Sequence, residues 1–133
     1  MSIQKSTIVV LIPCLNEEIT IEKVIRDFQK SIPEAQIIVF DNNSTDRTAT
    51  IAHESGAKVI KELRPGKGHV MANMFRKVEA DYYVIVDGDD TYSAEHVRQL
   101  LEPVLDESAE MSVAVRLEAV SYTHLTLPTT PYV

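Results

Sequence analysis

Short apolar runs alternate along the chain with segments of helical periodicity. Uninterrupted runs rich in β-branched residues are typical of strands that are buried on both faces of a sheet. The chain contains three such runs, a fourth segment that alternates as an edge strand does, and a fifth candidate near its end. The predicted strands are residues 7–12, 37–40, 82–86, 58–63 and 111–117.

Between these runs, apolar positions recur every three or four residues, which is the period of a helix with one buried face. The first helix should end at Pro33, the second should stop at Gly56, and Pro103 should kink or shorten the fourth. The stripe of the first helix consists of Ile21, Val24, Ile25 and Phe28. The other helices are predicted at 44–55, at 69–78 and after Ser93, a residue suited to the N-cap.

This alternation predicts an α/β fold, a Rossmann-like parallel sheet with flanking helices. A chain of 133 residues is long enough for one such domain. In parallel sheets, ligands bind at the carboxyl ends of the strands. Polar clusters that follow the predicted strands are therefore the candidate site residues.

The composition of the chain limits the classes of partner that it can bind and indicates its cellular compartment. The net charge of −7 argues against a nucleic-acid partner, and a phosphorylated ligand would need the help of a cation. Cys14 is the only cysteine, so no intrachain disulfide can form, which fits a reducing cytoplasm. No apolar run approaches the ~20 residues that span a bilayer. Membrane contact is therefore expected to be peripheral, at the cytoplasmic face.

Two polar clusters follow the first two predicted strands. In the first, Asn16 can cap the next helix, and Glu17 can reach a ribose or a base edge. In the second, Asp41 ends a strand where its carboxylate can accept hydrogen bonds from a base, and Asn43 suits a turn. A capped helix and an Asx turn would explain the same residues without a ligand. The clusters are residues 13–18 (PCLNEE) and 41–48 (DNNSTDRT).

The sharpest signal is the acidic segment 87–91 (DGDDT), which follows the fourth predicted strand. Its carboxylates repel one another when ionised, so a purely structural role explains them poorly. Asp87 and Asp89 can converge on one hard divalent cation, such as Mg²⁺ or Mn²⁺, through oxygen ligands. Gly88 lets the backbone turn tightly or approach a ligand. A solvated acidic turn is the alternative.

A fourth polar segment, residues 64–68 (RPGKG), precedes the third predicted helix. Lys67 could meet a phosphate there, because amide hydrogens at a helix start face an anion. The segment lacks the spacing of a Walker A loop, and the chain has no GxGxxG fingerprint, so a dinucleotide is not expected. A flexible linker is the alternative.

Taken together, these clusters resemble the family-two glycosyltransferases with the GT-A fold. Their order and spacing agree with that family over roughly the first 117 residues. The subgroup most similar to the chain moves a sugar from a nucleotide to a polyprenyl (dolichyl-type) phosphate. The matching segments are 12–18 (IPCLNEE), 41–48 (DNNSTDRT), 66–68 (GKG) and 86–91 (VDGDDT).

The resemblance implies roles for individual residues. Pro13, Leu15 and Glu17 would line a nucleoside pocket, with Asp41 near the base. Asp87 and Asp89 would form the DXD motif, and Asp89 would be the more direct metal ligand and the catalytic residue. Cys14 and Leu15 stand where many members carry Thr-Tyr, so contact with the base would be apolar. The predicted substrate-binding set is Pro13, Leu15, Asn16, Glu17, Asp41, Asn43, Lys67, Asp87 and Gly88.

By the same resemblance, the intact enzyme would be an inverting, metal-dependent transferase. It would use a UDP- or GDP-sugar donor and a lipid-phosphate or glycan acceptor. Residues 1–119 would form the nucleotide-sugar-binding part of the domain. Residues 120–133 carry no charge and resemble a read-through of adapter DNA, so they are interpreted as a non-native tail.

The acceptor-binding half is expected to lie outside this sequence, so the chain by itself is expected to be inactive. Two alternatives remain open. One is a catalytically silent nucleotide-binding fragment. The other is a sugar nucleotidyltransferase, although no glycine-rich phosphate loop follows the first predicted strand.

Overall fold

The first apolar run of the chain becomes the strand on which the sheet is built. In the computed structural model, which describes residues 7–111, β1 (Ile8–Cys14) pairs in parallel with β2 (Gln36–Asp41) and with β4 (Tyr82–Ile85). The strand β3 (Lys58–Lys61) pairs in parallel with the outer side of β2, which makes the order β3-β2-β1-β4. Every residue of β1 is buried, as an uninterrupted apolar run predicts.

Helices connect the parallel strands, and a further helix follows the last one. The predicted parallel α/β class is therefore confirmed. The predicted strand at 111–117 lies outside the described residues, apart from Met111, and the segment interpreted as a tail lies outside them entirely. The helices are α1 (Ile21–Ser31), α2 (Thr48–Glu54), α3 (Lys67–Lys77) and α4 (Ala94–Leu105).

The helices cover both faces of the sheet. The larger core packs α1, α2 and α4 against one face, and the predicted stripe of α1 is buried in it. On the other face, Val70 and Met74 of α3 pack against Leu11 of β1 and Phe40 of β2. The side-chain alternation of β1 supplies both cores, since successive residues of a strand point to opposite faces.

Two helix boundaries differ from the prediction. The helix α2 begins at Thr48 rather than at residue 44, because residues 44–47 hydrogen-bond to the loop after β1 instead of starting a helix. The helix α3 begins at Lys67, two residues earlier than predicted. The helix α4 continues to Leu105, so Pro103 does not end it at once.

Ser93 occupies the N-cap position of α4, as predicted, but its side chain makes no capping hydrogen bond. None of the helices within residues 7–111 combines the length and the apolar character needed to cross a membrane.

The packing of α1 leads to a stability prediction. Replacing Phe28, which is 2% exposed, with Ala should lower the free energy of unfolding by about 3–5 kcal/mol, because it removes buried area and leaves a cavity. The matched control is Phe75→Ala, since this ring is 48% exposed and makes an edge-to-face contact with Tyr83. Its loss should amount to about 1 kcal/mol. Urea denaturation measures both, and equal losses would contradict the assignment of the core.

Candidate functional site

The loops that follow the four strands meet at one edge of the sheet, because the carboxyl ends of parallel strands lie on the same side. Each loop hydrogen-bonds to at least one other through a side chain. The ties run from the β1 loop to the β2 and β4 loops, and from the β3 loop to the same two. The candidate site is this ring of loops.

Asn16 joins the loop after β1 to the loop after β2. Its backbone amide donates to Ser44 Oγ at 2.9 Å, and its side-chain Oδ1 accepts from the backbone amide of Thr45 at 2.9 Å. The residue adopts a positive φ of 53°, a conformation that asparagine tolerates. The prediction that Asn16 caps α1 is therefore wrong, because its side chain is used between loops and Thr20 stands at the N-cap of α1.

Glu17 is oriented by the same pair of loops. Its backbone amide donates to Thr48 Oγ1 at 2.9 Å, and Thr48 is fully buried at the start of α2. Asp46 accepts hydrogen bonds from both the amide and the hydroxyl of Thr48. The Glu17 side chain is thus held at the rim of the site by backbone contacts and stays partly exposed.

Asp41 is the most unusual polar residue at this edge. It is 1% exposed, and its Oδ1 accepts a hydrogen bond from the Ser44 amide at 3.3 Å. Its Oδ2 is the one buried side-chain oxygen or nitrogen among residues 7–111 that lacks a hydrogen-bond partner. A buried acceptor without a partner costs free energy, so a ligand that donates to it would regain that energy.

The acidic loop after β4 lies on the opposite side of β1 from Asp41. The ammonium group of Lys67, at the start of α3, lies 2.8 Å from Asp87 Oδ1. Asp89 accepts hydrogen bonds from the amide and the hydroxyl of Thr91. Asp90 has a φ of 62° and pairs with Lys23 of α1 at 3.1 Å, so its carboxylate is directed to α1.

Gly88 is buried between these carboxylates. A Cβ at this position would lie 2.5 Å from Cys14 Sγ, so the close approach that requires glycine here is to β1. The Gly88 carbonyl accepts a hydrogen bond from Thr20 Oγ1 at 2.6 Å, which ties the acidic loop to the start of α1. The sequence did not predict this contact of Thr20, because a threonine before a helix indicates no more than an N-cap.

Negative charges accumulate at the site. Partial burial raises the pKa of Glu17, and the nearby carboxylates of Asp89 and Asp87 raise it further. Burial also raises the pKa of the Cys14 thiol, with Glu17 adding to the effect, so this cysteine stays protonated and unreactive. Lys67 offsets part of this charge through its contact with Asp87.

The oxygen-rich loop suits a hard divalent cation, but it cannot enclose one. Within residues 7–111, no three Asp, Glu, His or Cys side chains converge closely enough to hold a metal by themselves. Asp87 and Asp89 supply carboxylate oxygens, which Mg²⁺ and Mn²⁺ prefer. Two carboxylates alone would leave such a cation incompletely coordinated, so it would need further oxygens from a bound ligand.

The structure brings most of the predicted site residues to this edge. Pro13 is buried beneath it, Leu15 is 53% exposed, and Asn43 is exposed with a φ of 59°. Asn42 was missed by the sequence analysis, because an asparagine beside Asp41 resembles any turn residue. Predicted residues with hydrogen-bond or charge contacts here are Asn16, Glu17, Asp41, Lys67, Asp87, Gly88 and Asp89.

The fold and the site define a Rossmann-like α/β domain with an acidic cluster of loops at the carboxyl edge of its sheet. The sequence profile of glycosyl transferase family 2 matches residues 9–129. The chain is 48% identical over 111 residues to the protein RfbJ of Shigella flexneri, covering 84% of this chain and 86% of that protein. The chain therefore belongs to glycosyl transferase family 2.

Other relatives are longer. The low-salt glycan biosynthesis hexosyltransferase Agl6 of Haloferax volcanii is 37% identical over 115 residues, which is 84% of this chain but 28% of Agl6. A crystal structure of glucosyl-3-phosphoglycerate synthase from Mycobacterium tuberculosis with Mn²⁺, uridine diphosphate and glucosyl-3-phosphoglycerate superposes with a TM-score of 0.68 and 34% identity. It covers 75% of this chain and 40% of the synthase. The chain thus spans less than half the length of these two relatives.

The contact between Gly88 and Cys14 leads to a second prediction. Gly88→Ala should lower the free energy of unfolding by about 1–3 kcal/mol, because its new methyl group overlaps Cys14 Sγ. In a Cys14→Ala background the same substitution should cost much less, since its other close neighbours, Ile12 and Ile21, lie 3.4 Å away. Denaturation of the four proteins of this cycle measures the coupling. An equal cost in both backgrounds would contradict the packing.

Proposed function

We propose that this chain is the donor-binding part of a sugar-nucleotide glycosyltransferase, and that it holds a nucleoside diphosphate across the carboxyl edge of its sheet. The observation that carries the proposal is the buried, unpartnered Oδ2 of Asp41, with the acidic loop on the other side of β1. One end of the site would take a base and the other a diphosphate.

The base end is formed by Asp41, Leu15 and Glu17. Asp41 Oδ2 would accept a hydrogen bond from a ring N–H of the base, which gives the buried carboxylate its missing donor. The exposed Leu15 side chain offers an apolar surface to the base, and Glu17 is held close enough to meet the ribose. Uridine is the proposed base, since the synthase with a similar fold was solved with uridine diphosphate.

The diphosphate end is formed by Lys67, Asp87 and Asp89. Lys67 lies at the N-terminus of α3 and carries a positive charge that a phosphate would attract. Asp87 and Asp89 would hold Mg²⁺ or Mn²⁺, with Asp89 as the more direct ligand. When bound, such a cation neutralises the leaving diphosphate and stabilises its developing charge.

For the whole enzyme we propose direct displacement with inversion, in which an acceptor oxygen attacks the anomeric carbon opposite the leaving diphosphate. A polyprenyl phosphate is the proposed acceptor, on the strength of the subgroup resemblance of the sequence motifs. Such an acceptor oxygen is already anionic, so no general base is required. With such an acceptor, the enzyme would work at the cytoplasmic face of a membrane.

The proposed base end can be tested with a substitution that should change uridine affinity without destabilising the fold. Asp41→Asn should weaken uridine binding by about tenfold, because it replaces the acceptor Oδ2 with a donor and removes a charge-assisted hydrogen bond. The free energy of unfolding should change by less than about 1 kcal/mol, because Oδ1 still accepts from Ser44 and the removal of a buried carboxylate charge offsets the cost of the new buried amide hydrogens. Calorimetry and urea denaturation measure the two effects.

The control for this test is Asp27→Asn, which makes the same charge change at a partly exposed carboxylate on α1. It should leave uridine affinity unchanged. Guanosine is titrated in parallel to decide the base. If Asp41→Asn binds uridine as tightly as the unaltered chain does, Asp41 does not contact the base. If the unaltered chain binds guanosine more tightly than uridine, guanosine is the nucleoside of the donor.

The diphosphate end leads to a metal test. The chain should bind uridine diphosphate at least about tenfold more tightly with Mn²⁺ than with chelator. The reason is charge repulsion, since each like-charge pair at ~4 Å costs about 1 kcal/mol in water and more at lower dielectric. Asp89→Asn should remove most of the metal effect. Asp90→Asn is the matched control, because its carboxylate pairs with Lys23.

Titration calorimetry of the three proteins, with and without Mn²⁺, measures this effect. Equal affinity with metal and with chelator would end the metal assignment. A larger loss in the Asp90 variant than in the Asp89 variant would move the ligand by one residue. Pyrophosphate release from a nucleoside triphosphate in the presence of a sugar phosphate would instead support a nucleotidyltransferase.

A further inference from the structure

The side chain of Asn42 uses its whole amide group to hold a single loop. Its Nδ2 donates to the carbonyl oxygens of Glu62, at 2.9 Å, and Arg64, at 2.8 Å. Its Oδ1 accepts from the Gly66 amide at 3.2 Å. Both amide hydrogens and the amide oxygen are therefore committed to the segment between β3 and α3.

This segment depends on such a tether, because regular structure stops at its two ends. The strand β3 ends at Lys61, and the hydrogen bond from the Glu62 amide to the Asp41 carbonyl, at 2.9 Å, continues its pairing with β2 by one residue. Gly66 then takes a φ of 109° and is followed directly by α3. The Asn42 side chain supplies the contacts to β2 that the strands no longer provide.

A second contact in the loop cannot replace this tether. Arg64 pairs with the buried carboxylate of Glu62 at 2.7 Å, and its hydrogen bonds lower the pKa of Glu62 to about 2. The two residues belong to the same loop, however, so the pair folds the loop upon itself. It does not define the distance from the loop to β2.

The tether determines where Lys67 lies. Gly66 is bound to Asn42 and occupies the N-cap position of α3, so Lys67 is the first helical residue after an anchored one. The Lys67 ammonium lies 2.8 Å from Asp87 Oδ1, at the diphosphate end of the site. Asn42 itself follows Asp41, and its backbone amide is bound to the Cys14 carbonyl at 2.8 Å, so it stands on the rigid end of β2.

We infer that Asn42 is a positioning residue for the diphosphate end of the site, which anchors the β3–α3 loop to the end of β2 so that Lys67 faces the acidic loop. The inference rests on the proposed function for its ligand. It requires that Asn42 affect diphosphate binding through Lys67 and leave nucleoside binding alone.

The first experiment needs no ligand. Amide hydrogen exchange of the 133-residue chain should become at least about tenfold faster at Gly66 in Asn42→Ala, because the acceptor of that amide is removed. The matched control is Gln29→Ala, which removes another side-chain amide hydrogen bond to a backbone carbonyl, that of Ser55 at 2.8 Å. It should leave exchange at Gly66 unchanged. Unchanged exchange at Gly66 in the Asn42 variant would overturn the inference.

The second experiment measures coupling to Lys67. Asn42→Ala should weaken binding of uridine diphosphate with Mn²⁺ by about tenfold, and uridine binding by less than about twofold. In a Lys67→Met background the Asn42 substitution should have little further effect on the diphosphate. A general loss of structure would weaken uridine binding too, and would persist in the Lys67 background.

The outcomes separate the inference from the proposed function. If the unaltered chain binds no uridine or guanosine nucleotide while exchange at Gly66 still responds to Asn42, the proposed function fails and the tether stands. If uridine diphosphate binds equally well with and without the Asn42 side chain, the positioning role is wrong and the proposed function stands. The positioning role is also wrong if Asn42→Ala weakens uridine diphosphate binding equally in the unaltered chain and in the Lys67→Met background.

Discussion

Peptide groups beyond the ends of the strands still need hydrogen-bond partners, and the whole carboxyl edge of this sheet is arranged around that need. The ladder that joins β1, β2 and β4 satisfies backbone groups only as far as the strands run. Past that point, side chains of one loop bond to the backbone of another. Asn16 and Asn42 do so on either side of β2, and Thr20 does so toward the acidic loop. Removing any one tie would leave a peptide group without that partner.

The carboxylates at this edge lower the free energy of unfolding, whereas the hydrogen bonds between the loops raise it. Asp41 is buried with one carboxylate oxygen unpartnered, and the pKa of Glu17 is raised by its burial and its acidic neighbours. Both arrangements cost free energy in the absence of a ligand, and both are compensated elsewhere by the two apolar cores. Such costs are expected where a protein prepares a binding surface, because groups poised for a ligand cannot satisfy one another first. Lys67 partly relieves the repulsion by pairing with Asp87.

Membership of glycosyl transferase family 2 agrees with a structure in which apolar packing stabilises the sheet and the energetically costly carboxylates lie at its carboxyl edge. The parallel sheet is well supported by apolar packing, and the polar residues that resemble the family motifs lie together at one edge. The likeness to the synthase covers 75% of this chain and only 40% of that enzyme. The likeness therefore concerns less than half of that enzyme.

The sequence by itself determined the class of fold, the buried strands β1 and β2 and the positions of the polar clusters, because hydrophobic periodicity is a local property that short segments carry. The third apolar run was expected to be buried too, but β4 leaves Tyr83 and Ile85 exposed. It also located Asp41 and Asp87 at strand ends, since each follows an apolar run directly, and Asp89 two residues further on. Only the tertiary structure decided what these clusters contact. Asn16 was expected to cap a helix and instead bonds a loop 29 residues away, and Thr20 reaches a carbonyl 68 residues away. The unpartnered oxygen of Asp41 and the tether at Asn42 arise from the same cause, which is that parallel pairing brings distant loops together, and no local pattern records which side chain will meet which backbone.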